Sequence, residues 1–197
     1  MSDHQLSVFQ SGIRDNRNRG TVGDFLKDKI ELGAKLSIVS AYFTIYAFEA
    51  LKQELCSIES LNFLFGEPRF IQSIGTKTDR KAFKIEDTGI QLSSRLKQSK
   101  LARECQEWIQ KKVNIRSIKE SNLLHGKMYH IDNNGVKTAI LGSSNFTLKG
   151  LGLAKVNSNI ELNLIVDSER DRQDLKFWFE ELWNNHKLVQ DVKDEII

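Results

Sequence analysis

Apolar residues in the stretch TVGDFLKDKIELG (residues 21–33) fall at Val22, Phe25, Leu26 and Ile30, one face of a 3.6-residue period. Thr21 stands where an N-cap belongs, so a helix is expected there. KLSIVSAYF (35–43) is apolar with β-branched residues and reads as a buried strand. A helix should follow, turning Ile45, Phe48, Leu51 and Leu55 inward. LNFLFG (61–66) predicts a second strand ending at a glycine, and residues 67–90 keep no clean period, which predicts a long irregular excursion. Residues 91–112 return to helical spacing through Leu92, Leu96, Leu101, Cys105, Trp108 and Ile109.

Beyond Val113 the pattern shortens to strands: VNIRSI, LLHGKMYHID, VKTAILGS and NIELNLIV. Asn133, Asn134 and Gly135 lie between two of these and signal a hairpin. The last helix is the plainest, with Leu175, Trp178, Phe179, Leu182 and Trp183 on one stripe, where both tryptophans are expected in core or interface. Helices before, between and after strands predict an α/β/α sandwich around a central mixed sheet.

With 197 residues the chain can bury one full core, so a single domain over 1–197, with its core at about 20–190, is expected. It could be the N-terminal module of a larger protein. No apolar signal-peptide core opens the chain, and no apolar run reaches the roughly 18 to 20 residues that span a bilayer, so a cytoplasmic protein without membrane contact is expected. Cys56 and Cys105 sit in apolar helical patterns and read as buried free thiols. Charge changes the picture more. Residues 75–119 hold twelve Lys/Arg against five Asp/Glu, whereas residues 157–197 hold five against ten. Such asymmetry suits a polyanion-binding face, with Lys97, Lys100 and Arg103 as candidate phosphate contacts, although a solvated helix face reads the same way.

The candidate chemistry is concentrated in HGKMYHIDNNGVKTAILGSSNFT (125–147). On a strand, His125 and Lys127 share a face, and Asp132 and His130 take the other. A histidine beside a lysine leaves a cation uncompensated unless an anion joins them, and a phosphate would fit. The turn Gly142-Ser143-Ser144-Asn145 offers hydroxyl, amide and backbone N–H donors at the neighbouring strand end. His125 and His130 differ in parity and make a poor zinc pair, the cysteines lack metal-site spacing, and no phosphate-loop motif for ATP occurs. No metal and no cofactor is therefore expected.

His125-Gly126-Lys127 and Asp132, followed by Gly142-Ser143-Ser144-Asn145-Phe146-Thr147, resemble the H-x-K-x4-D…G-S-x-N signature of the phospholipase D superfamily. Nine residues separate Asp132 from Gly142 where six are usual, and the surplus falls at the Asn-Asn-Gly hairpin, where length can vary without moving either strand end. The stretch from Gly142 to Val166 resembles the branch of restriction-type nucleases and of nuclease domains fused to bacterial helicases.

That resemblance implies covalent catalysis through a phosphohistidine. His125 would attack phosphorus, Lys127 and Asn145 would hold the non-bridging oxygens, Ser143 would add a hydrogen bond, and Glu161 would orient His125. Asp132 would be structural. In-line chemistry needs a second histidine as the acid, and His4, His130 and His186 stand in no comparable context. A homodimer with one shared site follows as the expectation. The function expected is that of a metal-independent phosphodiesterase, a DNA endonuclease; the alternative is an idle DNA-binding or dimerisation module of a helicase or restriction system. A lipase fits less well, because the chain is small and lacks membrane features.

Overall fold

The computed structural model describes residues 11–66, 92–120 and 123–196, with side chains of the long central helix described from Gln98 onward. The expected excursion at 67–90, the side chains of Leu92, Leu96 and Lys97, and much of the basic stretch lie outside what is described.

Eight strands form one sheet in the order β1-β7-β6-β5-β2-β3-β4-β8. They are β1 (Ile13–Arg14), β2 (Lys35–Ser40), β3 (Ser60–Phe65), β4 (Val113–Ile118), β5 (Lys127–Asn133), β6 (Val136–Gly142), β7 (Asn163–Ile165) and β8 (Val189–Asp191). Strands β2, β3 and β4 run parallel, joined through α2 (Ile45–Ala50) and α3 (Lys52–Ser57), and then through α4 (Leu92–Lys112). The remaining pairings are antiparallel. Parallel strands need helical crossovers, and these cover the sheet face. Accordingly β2 is buried from Leu36 to Ser40.

Two apolar clusters show the layering. On one face, α1 (Val22–Lys29), α2, α3 and α4 deliver Phe25, Leu26, Phe48, Leu51, Leu55, Cys105 and Trp108 against Ile38, Phe63, Ile115, Tyr129 and Ile140. On the other, α5 (Glu169–Trp183) lays Phe179 and Trp183 on Val39, Leu64, Ile118 and Met128. Alternation along β5 assigns the faces: Tyr129 and Ile131 go to the first cluster and Met128 to the second. The expected α/β/α sandwich with a mixed sheet is the observed fold.

Local signals explain several element ends. Thr21 Oγ1 accepts from Asp24 N at 2.9 Å and Ser168 Oγ accepts from Asp171 N at 3.3 Å, so both helices start at an N-cap. Asn134 and Gly135 adopt φ values of 52° and 100°, the paired left-handed residues of a tight hairpin turn. Three expectations are corrected. The helix after β2 breaks at Leu51 (ψ 17°), whose N–H is shared between Ala47 O and Phe48 O at 3.2 Å each. Cys56 is exposed, and only Cys105 is buried, where its thiol is pushed up to about 12 by desolvation. Trp178 is 41% exposed, because α5 turns Phe179 and Trp183 to the sheet and leaves Trp178 on its flank.

His130 is buried under α5, its Nε2 3.1 Å from Arg172 O. Loss of solvent, followed by the Lys176 charge, lowers its pKa from 6.5 to about 4. The folded state thus refuses a proton that the unfolded chain accepts. Stability should fall as pH drops from about 6.5 toward 4, by a total on the order of 3 kcal/mol from this group. Denaturant unfolding at a series of pH values checks this, and His130→Gln should flatten the profile across that window.

Candidate active site

The candidate residues gather at one end of the sheet. Strand β5 runs against β2, so its first residue, Lys127, lies at the C-terminal end of the parallel strands, one step beyond the Val39–Met128 pair. Strand β6 returns, and its last residue, Gly142, pairs with Lys127 and with Asn163 at the start of β7. His125, Lys127, Ser143, Asn145 and Glu161 are therefore placed together by three adjacent strand ends. The carboxyl ends of parallel strands in open α/β sheets are a common location for ligand sites.

His125 is exposed and precedes β5, which begins at Lys127 and not at Leu123 as expected. Its position is consequently set by the entering segment and not by the β-ladder. Leu124 O in that segment closes over Gly66 at the end of β3, where a Cβ would come within 2.5 Å of it. Lys127 Nζ donates to His125 O at 2.7 Å, so the two motif residues are tied through the histidine's own backbone. Among the described residues no carboxylate lies within ion-pair distance of Lys127.

Asn145 is fixed through its carbonyl. Its Oδ1 accepts from Ala41 N at 3.0 Å and from Ser40 Oγ at 3.2 Å, which turns the amide NH2 away from β2 as a donor. Glu161 accepts from Ser143 Oγ and from Asn159 Nδ2, the latter at 3.0 Å. Leu162 N donates back to Ser143 Oγ at 3.0 Å. The bonds given to Glu161 thus run to Ser143 and Asn159, and they lock the Gly142 turn to the approach of β7. Asp132 stands on the opposite face, as expected, accepting from Gly135 N at 2.6 Å with Lys137 Nζ 4.0 Å away, so it holds the hairpin.

Three supporting residues escaped the motif. Asn163, buried, accepts from Ser144 N at 3.2 Å through Oδ1 and donates to Ser144 Oγ at 3.0 Å and Arg14 O at 3.2 Å through Nδ2. Tyr129 donates to Ser144 O at 2.8 Å, and burial, then the Glu161 charge, pushes its phenol well above the usual range. Ser40 Oγ accepts from Phe146 N at 2.9 Å. Two of them leave a signal in the sequence, a polar residue beside apolar neighbours: Ser40 after Ile38-Val39 and Asn163 between Leu162 and Leu164. Among the described residues no group of three His, Cys, Asp or Glu stands close enough to hold a metal ion.

Gly142 shows how tightly the turn is built. An added Cβ would fall 2.6 Å from Asn163 Cα, 2.5 Å from Asn163 Oδ1 and closer still to Leu162 O, so backbone would have to move. Gly142→Ala should cost about 1–3 kcal/mol in thermal unfolding and displace Ser143 with Glu161. Gly126→Ala, which meets nothing within 4 Å, is the control and should unfold like the wild type.

A mixed sheet with helices on both faces, and a histidine, a lysine and an asparagine at adjacent strand ends, define the phospholipase D class of phosphate-handling proteins. Residues 36–183 match the family model described as cardiolipin synthase, PLD-like domain, and the chain belongs to that family. Among solved structures, polyphosphate kinase from Porphyromonas gingivalis is similar in fold, with a TM-score of 0.54 at 8% identity over 89% of this chain. The chain spans only 22% of that enzyme's length, so the likeness concerns the fold. Among curated proteins none matches the chain in sequence. The PLD-like domain suggests the phosphodiester-handling chemistry of that superfamily. Among the described residues no helix is long and apolar enough to cross a membrane.

Proposed function

We propose that this chain is a metal-independent phosphodiesterase, a DNA endonuclease, that works through a phosphohistidine at a site shared by two copies. The observation that carries the reading is the placement of His125, Lys127 and the outward amide of Asn145 at adjacent strand ends, with Lys127 Nζ bonded to His125 O and Asn145 Oδ1 held by Ala41 N at the end of β2. His125 would attack phosphorus, forming a P–N bond as the P–O bond to the leaving group breaks. The partner's His125 would give its proton to the departing oxygen, then take one from the water that splits the P–N bond. Lys127 and Asn145 would hold the non-bridging oxygens, whose charge builds in the transition state. Glu161 would act through Ser143, which it holds against the Gly142 turn.

The substrate class rests on charge. Lys100 lies in the N-terminal half of α4 and Arg103 just past its middle, and that helix descends from the site end of the sheet before β4 climbs back to it. They would form part of a rim that tracks a polyanion backbone.

The test is cleavage of plasmid DNA, single-stranded DNA and a bis-aryl phosphodiester in excess EDTA. Hydrolysis of all three should persist under chelation. Activity that appears only with added Mg²⁺ would refute the metal-free mechanism. Salt-sensitive DNA binding with no hydrolysis of any substrate would favour an idle binding module, and hydrolysis of the small diester alone would remove DNA as the substrate.

A further inference from the structure

One aromatic ring at the site end of the sheet is held out of the core. The segment from Ser40 to Thr44 leaves β2 beside Asn145, and its backbone is pinned on both sides of Tyr42. Ala41 N donates to Asn145 Oδ1 at 3.0 Å, and Ser40 Oγ lies 2.8 Å from Tyr42 O. Phe43 turns inward and stacks on Phe146, with ring centroids 5.3 Å apart. Thr44 N donates to Phe146 O at 3.1 Å, and Thr44 caps α2. With Phe43 facing the core, its neighbour faces out: Tyr42 is 51% exposed. Among the described residues its ring stacks on no other ring and its hydroxyl has no hydrogen-bond partner. The ring therefore stands as a preformed flat face in water, and the backbone that carries it cannot fold it away.

We propose that Tyr42 is the stacking platform for the nucleobase next to the scissile phosphate, and that it makes the site select unpaired strands. The inference rests on the nuclease reading of this site and names the form of substrate. Position supports it. Tyr42 is one residue from the N–H that fixes Asn145, and β2 is the neighbour of β5, which opens at Lys127. A base is joined to its phosphate through one sugar, so a phosphate held by Lys127 and Asn145 leaves its base within reach of the adjoining strand end. Residue type supports it too. An aromatic ring offers a π face, which every base matches, and its ordering cost is already met by the pinned backbone. In a duplex the base faces are covered by their neighbours and only edges and phosphates are presented, so this ring can engage only a base that is unpaired. The other flank of the site suits the continuing strand. Asp15 O accepts from Glu161 N at 3.2 Å, and Asp15 Oδ1 accepts from Arg17 N at 2.8 Å and Arg19 N at 3.0 Å. That braced turn holds out Arg17 and Arg19, both exposed and, among the described residues, in no ion pair. An aromatic platform with cations farther along is the combination that holds single strands.

The test uses the full chain carrying His125→Ala, which leaves a bound strand uncut. Fluorescence anisotropy measures its affinity for a labelled oligothymidylate and for a labelled duplex of the same length. The single strand should bind more tightly. Adding Tyr42→Ala should weaken the single strand by about 5- to 100-fold more than the duplex, the scale of one base–aromatic stack, with unchanged circular dichroism. Tyr42→Phe, which keeps the ring, should bind like the parent. With His125 restored, kcat/KM for the p-nitrophenyl ester of thymidine 5′-phosphate should exceed that for methyl p-nitrophenyl phosphate, and Tyr42→Ala should remove that preference. If Tyr42→Ala weakens both nucleic acids equally, or neither, the ring is no base platform and the proposal is overturned, while the nuclease reading stands on cleavage. A loss in Tyr42→Phe equal to that in Tyr42→Ala would assign the effect to the hydroxyl and overturn it as well. If neither nucleic acid binds, the proposal falls. If the single-strand loss appears but the wild type hydrolyses no diester, the nuclease reading fails and the platform stands as part of a binding module.

Discussion

His125→Ala should abolish phosphodiester hydrolysis, with a loss of about 10⁴-fold or more, while the protein unfolds at the wild-type midpoint. The magnitude follows from the two roles one residue would hold, since the substitution removes the nucleophile and, in a two-copy site, the acid as well. The fold should survive because His125 is exposed and lies before β5, outside the ladder that Lys127 opens. His130→Ala is the matched contrast. His130 is buried beneath α5 and bonded to Arg172 O, so its removal should cost stability on the order of 2 kcal/mol. Activity per folded molecule should stay near wild type, since His130 points to the face opposite Lys127. Initial rates, corrected for folded fraction by circular dichroism, decide the matter. Equal loss of rate in both variants would put His130 in the chemistry and refute the assignment.

Mixing His125→Ala with wild-type chains should produce a second large effect, one that reports directly on sharing. If each site needs a histidine from both copies, random pairing at equal amounts leaves about a quarter of the dimers with two histidines. Total hydrolysis after exchange should then approach one quarter of that of an equal mass of wild type. Chains that worked alone would retain one half. The mixture should be equilibrated until sedimentation shows exchange to be complete, and the rate measured in the same sample. A result at one half would send the search for a second histidine back inside one chain.

Much of this molecule is legible in its sequence because local rules act there without competition. The caps at Thr21 and Ser168, the left-handed pair Asn134-Gly135 and the strand β2 around Leu36, Ile38 and Val39 each follow from a few neighbouring residues. The spacing of His125, Lys127 and Asp132 before Gly142, Ser143 and Asn145 identified the family, because phosphate chemistry fixes residue types more narrowly than packing does. Tertiary structure decided what depends on distant partners. Parity alone could not show that β5 begins at Lys127, because the entering segment is held by Gly66 at the end of β3. Nor could it foresee Glu161 bound to Ser143 and Asn159, since the Gly142 turn meets the approach to β7 only once β6 and β7 pair. Trp178 kept helical spacing yet stayed exposed, and Cys56 did the same, because spacing gives a stripe and the neighbouring layer decides how wide a stripe it covers. The aliphatic row at Ile160, Leu162 and Leu164 is the opposite case. Its alternation is plain in the chain, but which side faces inward is set by Asn163 and Glu161, whose polar partners lie on other strands.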